Sequence, residues 1–163
     1  MAVTIDAETG DVVDFRGAGQ KSGPMKISAG VAGIPPAQPQ GHVEARDDQT
    51  WAYIGVDPAS HIGWRKIYCL DGHWLDVSFI VQNLSAHPIA AQIELIGNFA
   101  TSRGAGEAPA EVHSGPCHFQ AFDVSQAIQP PAAAGQPFLR SDLEPLKPGE
   151  RMSWTMRWWI TPQ

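Results

Sequence analysis

Cysteine is scarce: Cys69 and Cys117 are the only two in 163 residues. That is too few for a disulfide framework, which excludes a small scaffold stapled by several bridges. Two separate thiols are expected, with a single Cys69–Cys117 bridge as the alternative. Basic residues are also few, 11 Lys and Arg against 17 Asp and Glu, and the formal net charge is -6. Nucleic-acid binding draws most of its non-specific affinity from clustered cations, so no nucleic-acid partner is expected. No stretch approaches the roughly 20 apolar residues that span a bilayer, so no membrane partner is expected either. The opening, MAVTIDAETGDVVDF, has neither the basic region nor the apolar run of a secretory signal peptide. The expectation is a cytoplasmic protein or part of a released assembly.

Catalytic signatures are missing as well. There is no phosphate-cradling glycine loop, no G-x-S-x-G elbow, no H-E-x-x-H and no dinucleotide fingerprint. GAGQKSG lacks the spacing and the strand-to-helix setting that a phosphate loop needs. A small β-barrel enzyme could use His73 with Asp76, or His118 with Asp123, as an acid/base pair. On a regular strand each pair falls on opposite faces, so the histidines are expected at turns and edges. No catalytic residue and no cofactor is assigned.

What the sequence does hold is alternation. WLDVSFIVQN places Leu75, Val77, Phe79 and Val81 on one face and Asp76, Ser78 and Gln82 on the other, the period of a half-buried strand. NLSAHP follows as a turn, and IAAQIEL resumes with Ile89, Ala91, Ile93 and Leu95 on one side. LKPGERMSWTMRWWI opens on a Pro-Gly turn and alternates Met152, Trp154, Met156, Trp158 and Ile160 against Arg151, Ser153, Thr155 and Arg157. Shorter strands are expected at VTI, DVVDF, WAYIGV, WRKIYCL and HFQAFDV, with loops at TSRGAGEAPAE and PPAAAGQPF. No helical period of useful length appears; DVSQAI offers one turn at most.

Many short strands joined by Gly/Pro turns predict an all-β fold, an antiparallel β-sandwich of immunoglobulin-like or jelly-roll-like type, with a small β-barrel as the alternative. VSFIVQNLSAHPI, followed later by LKPGERMSWTMRW, resembles the strand-turn-strand and final-strand rhythm of immunoglobulin-like sandwiches. The resemblance spans about a quarter of the chain, carries no catalytic motif, and implies architecture alone. The length suits one domain, which at this size hides roughly 70% of its unfolded surface. Within it, residues 1–48 are expected as an N-terminal strand and an extended Gly/Pro-rich arm, and residues 49–163 as the β-sandwich. The arm would dock on its own sheet or on a neighbour, or trail as a flexible leader.

Two Cys/His clusters, YCLDGHW and VHSGPCHF, hold the ligand types of a zinc or copper site. A two-residue Asp71-Gly72 turn of type I′ would pair Leu70 with His73 and Cys69 with Trp74, sending Cys69 and His73 to opposite faces. A three-residue loop at Ser114, Gly115 and Pro116 would set His113 beside Cys117. No metal site is assigned.

The same phasing gives the hairpin a core face, with Trp64, Tyr68, Leu70, Leu75, Val77 and Phe79, in which Lys66 sits awkwardly. The other face collects Arg65, Ile67, Cys69, Trp74, Asp76, Ser78 and Ile80. A wet face should read polar; this one is partly apolar, so something is expected to cover it. Trp74 and Trp159 are the outward aromatics, with Trp51 of uncertain phase. Arg157 would stack on one of them, and Asp76 is their polar neighbour. The alternative is that these indoles fill sheet edges with their N–H groups bonded to backbone. The expected function is that of a non-catalytic assembly subunit or binding module, with self-association or a protein partner. A carbohydrate-binding module using its exposed tryptophans on a glycan, and the small barrel enzyme, are the alternatives.

Overall fold

The longest alternating segments make the longest strands, and the rest of the fold is assembled beside them. In the computed structural model, which describes residues 1–17, 25–34, 40–103, 111–122 and 132–161, every regular element is a strand. The hairpin of β6 (Ile62–Asp71) and β7 (Trp74–Asn83) lies at the centre of an antiparallel sheet. On one side stand β5 (Thr50–Asp57) and β4 (Gln40–Ala45). On the other, β15 (Arg151–Ile160) pairs with β7, followed by β12 (Cys117–Ala121), β11 (Glu111–Ser114) and β10 (Ser102–Arg103). The order of this eight-stranded sheet is β10-β11-β12-β15-β7-β6-β5-β4.

The second sheet has five strands, β1 (Ala2–Ile5), β2 (Val12–Arg16), β3 (Ile27–Val31), β9 (Ile93–Gly97) and β13 (Pro137–Arg140), in that order. A two-stranded ribbon of β8 (Ile89–Ala91) and β14 (Glu144–Leu146) completes the set. Among the described residues the large sheet ends at β4 and β10, which do not pair with each other, so the fold is an antiparallel sandwich and not a closed barrel.

Alternation decides what the layers bury. Leu75, Val77, Phe79 and Val81 of β7 and Met152, Trp154, Met156 and Trp158 of β15 all point into the core. From the five-stranded sheet come Val12, Phe15, Ile27, Ile93 and Leu95. Phe15 joins the layers directly, its ring 6.1 Å from Phe119 and 5.8 Å from Trp158. Ile89 and Ile160 pack on the rim of the same core.

The segment expected as an extended arm does not behave as one where it is described. It supplies β3, which runs inside the five-stranded sheet with Ile27 opposite Gly97 and Val31 opposite Ile93, and it supplies β4 at the edge of the other sheet. Ile27 and Val31 are buried. Glycine and proline lower intrinsic strand preference, but a strand inserted beside β9 gains a full ladder and two core side chains, which outweighs it. Residues 18–24 and 35–39 of that segment lie outside the described residues, as do all of DVSQAI, residues 104–110 of the TSRGAGEAPAE loop and residues 130–131 of PPAAAGQPF. The N-terminal strands share one core with the rest.

Lys66, the charge in the apolar alternation, is buried on the inner face and reaches the other layer. Its ammonium donates to Asp11 Oδ1 at 2.5 Å and to the Thr9 carbonyl at 2.8 Å, with the Tyr53 and Trp64 rings 5.5 and 5.2 Å away. Tyr68 adds a hydroxyl bond to the Gly10 carbonyl at 2.7 Å. The turn between β1 and β2 is thereby fixed to β6 by three polar contacts, of which the Tyr68 bond is fully buried.

Cys117 is the other buried titratable group of note, and burial pushes its thiol up to about 11 from 9.0. The unfolded chain releases this proton first, so between about pH 9 and pH 11 it binds fewer protons than the folded chain and stability falls as pH rises. Cys117→Val lacks this loss. Urea unfolding at pH 8 and pH 10.5 should show the variant gaining on the wild type; a gap independent of pH would refute the assignment.

Candidate functional site

The β6–β7 turn differs from the expected one. Its two-residue loop is Gly72-His73, with Asp71 opposite Trp74, Leu70 opposite Leu75 and Cys69 opposite Asp76. Gly72 has φ +53° and His73 is not in the positive region, so the glycine takes the first central position, as a type II′ turn requires. Cys69 therefore faces Asp76 and not Trp74, and His73 leaves the strand for the turn. Pairing moves by two positions, which preserves parity, so the two faces keep the residues assigned to them.

The second cluster is also tighter than expected. Its loop is Gly115-Pro116, with Gly115 at φ +55°, and His113 lies opposite His118 and not beside Cys117. Cys69 is on the outer face, where its sulfur accepts a bond from Thr50 Oγ1 at 3.7 Å, and Cys117 is in the core. The thiols are free and point to opposite sides of one sheet. Among the described residues no three His, Cys, Asp or Glu side chains converge as metal ligands would.

The register then aligns a row across four strands of the outer face: His113, His118, Trp159 and Trp74. The next row carries Glu111, Gln120, Arg157, Asp76 and Cys69. His118 stacks on Trp159, centroids 4.9 Å apart and planes 7° from parallel. The Arg157 guanidinium lies 4.5 Å above the Trp74 ring and grips Asp76 with both ends of its fork, Nε–Oδ1 2.7 Å and Nη2–Oδ2 3.0 Å. The hydrogen bond to Asp76 raises the Arg157 pKa further above its ordinary value. Both partners are more than a third exposed, so the pair adds only about 0–1 kcal/mol to folding; its effect is to hold the guanidinium flat on the indole.

Trp74, Trp159, Arg157 and Asp76 are thus brought together. Trp51 is not. It pairs with Tyr68 on the inner face and packs half-buried against the core, because odd positions of β5 point inward. The indole nitrogen of Trp74 is enclosed with no hydrogen-bond partner among the described residues, unlike the backbone bond of the alternative reading.

The acid/base pairs do not assemble from the expected residues. His73 is in the turn and Asp76 is committed to Arg157, while Asp123 lies outside the described residues. The His118 ring is engaged at both nitrogens, Nδ1 by Glu111 at 3.2 Å and Nε2 by Thr161 at 2.9 Å. Sequence reasoning left His118 as an edge residue. The inward run of Cys117, Phe119 and Ala121 gives its outward direction, but its partner Trp159 follows only from the β12–β15 register.

No known family matches the chain, and no curated protein matches it in sequence. Among solved structures, the Slr1438 protein from Synechocystis sp. PCC 6803 is similar in fold, with a TM-score of 0.65 over 99% of this chain and 92% of that one. The two are 11% identical, a likeness of architecture alone.

Proposed function

We propose that the protein is a non-catalytic β-sandwich working through the outer face of its eight-stranded sheet, as an assembly subunit that docks a second copy of the chain. The observation that supports this most is the patch formed by Trp74, Trp159 and Arg157. Tryptophan and arginine dominate the energetics of protein interfaces, where they fill the desolvated centre. Ile67 lies on the same face, and Phe122, 36% exposed just past β12, extends the apolar surface toward the sheet edge. Exposed apolar side chains set among polar ones mark interaction sites. Arg157 beside Asp76 puts both signs into the patch, so a two-fold related copy can meet it with complementary charge, as an isologous contact requires.

Glycan binding is the second reading, favoured by two indoles next to a hydrogen-bonding acid and base. It has less support, because Arg157 covers one face of Trp74 and His118 covers one face of Trp159. Those are the surfaces on which a sugar ring would stack.

Sedimentation velocity tests the assembly. The wild type should run at twice the mass of one chain at micromolar concentration, and Trp74→Ala/Trp159→Ala should run as single chains with an unchanged circular dichroism spectrum. A wild type that stays a single chain at every concentration overturns it. Glycan-array binding that the double variant loses would favour the second reading.

A further inference from the structure

At the other end of the outer face, away from Trp74 and Trp159, the sheet surface opens into a cleft of about 350 Å³. That is within the range of small-molecule sites, about 300–1,000 Å³. Its floor is made by register: Arg65 stands between Ile54 and Ile80 in one row, and Gly63 stands between Val56 and Gln82 in the next. Gly63 contributes no side chain where its neighbours do, and that gap is the hollow. Leu84 closes one side, near enough that a Cβ at position 63 would sit 3.3 Å from it. Arg151, opposite Gln82 at the start of β15, closes another.

The two arginines differ from three others on this protein's strands. Arg16, Arg140 and Arg157 each pair with a carboxylate, Asp14, Glu94 and Asp76. Among the described residues neither Arg65 nor Arg151 has such a partner, and the Nε of Arg65 is enclosed with no acceptor. An enclosed donor without an acceptor is costly, and native structures seldom leave one so. In a chain of net charge -6, an acceptor from the protein itself would be easy to supply, and none is placed here. The walls are apolar: Ile54, Ile80, Val56 at 42% exposure and Leu84 at 43%, two of the few large hydrophobic side chains left this open.

We propose that this cleft binds a small amphiphilic carboxylate, its head group held by Arg65 and Arg151 and its aliphatic body laid along Val56, Ile80 and Leu84. A planar guanidinium matches a carboxylate in both geometry and charge. The aliphatic body removes exposed apolar surface that the head group alone would leave wet. The site is separate from the tryptophan patch and does not depend on the assembly reading.

Isothermal titration with octanoate is the test, with octanamide as the uncharged counterpart of the same shape. Octanoate should bind at one saturable site per chain, at least tenfold more tightly than octanamide. Arg65→Gln should weaken octanoate at least tenfold while leaving octanamide unchanged, and Gly63→Val should abolish both by filling the hollow. Arg151→Gln, at an exposed position, serves as the variant whose folding is not in question, and should also weaken octanoate. Absent binding, equal binding of acid and amide, or octanoate affinity unchanged in Arg65→Gln and Arg151→Gln would each overturn the proposal. So would a peptide with a free C-terminal carboxylate that binds where octanoate does not.

Discussion

Asp11→Asn is expected to remove about 3–5 kcal/mol of folding free energy at neutral pH, the usual cost of leaving one member of a buried ion pair without its partner. Lys66 is 2% exposed, and among the described residues Asp11 is its only charged hydrogen-bond partner. Without the carboxylate, the ammonium keeps the Thr9 carbonyl and two aromatic faces, too little to replace its hydration. Lys66→Met should cost much less, because a flexible apolar chain of similar length fills the same space with no charge to bury. Asp11→Asn/Lys66→Met should recover most of the loss, which marks the effect as that of an uncompensated charge and not of a disturbed turn.

The pH dependence has a fixed sign. Burial lowers the Lys66 pKa below its ordinary value of 10.5, against the opposing pull of Asp11. Removing Asp11 leaves burial unopposed by its nearest anion. Between the lowered folded value and 10.5 the unfolded chain binds more protons than the folded one, so stability rises with pH there. The deficit of Asp11→Asn against Lys66→Met should therefore shrink from pH 7 toward pH 10, measured by urea unfolding. A deficit below about 1 kcal/mol at pH 7 would make the contact no more than an exposed pair.

This pair also shows where the sequence stops being legible. Lys66 stands out as a charge in an apolar alternation, which is a local pattern. Its partner lies 55 positions away, in a turn whose place against β6 depends on both layers being assembled. The same divide runs through the candidate site. The outward direction of Trp74, Asp76 and Arg157 follows from period two, and it survives a turn placed wrongly because a shift of two keeps parity. The His118–Trp159 stack needs the pairing of β12 with β15, which local pattern does not carry. β3 was hidden for the opposite reason: its own residues read as a breaker-rich arm, and its strand character comes from β9 beside it. The cleft at Gly63 combines both, since parity puts Gly63 and Arg65 outward and side by side on β6, and only the register sets Val56, Ile80 and Gln82 around them.

Gly10→Ala should be nearly as damaging, by about 2–5 kcal/mol, through two independent causes. Gly10 has φ +67°, which an L side chain adopts only at a cost, and its Cβ would overlap the Cβ, Cγ and Cδ1 atoms of Tyr53. Tyr53 is fully enclosed, with Gly41 and Gly55 meeting the other end of the ring. Glycine usually weakens a strand interior; at Gly41 and Gly55 it makes room for the phenol. The hydroxyl at that end is enclosed without a partner, so Tyr53→Phe should be neutral or stabilising. These contacts make the two ends of the ring separable. At Gly55 the added Cβ meets the hydroxyl oxygen first, so Tyr53→Phe should rescue part of the loss in Gly55→Ala. At Gly10 it meets the base of the side chain, and Tyr53→Phe should rescue nothing. Thermal unfolding of the two double variants checks both: no rescue in Gly55→Ala would mean that the fit around the Tyr53 hydroxyl does not set its cost, and rescue in Gly10→Ala would mean that overlap at the base of the side chain does not set the cost there.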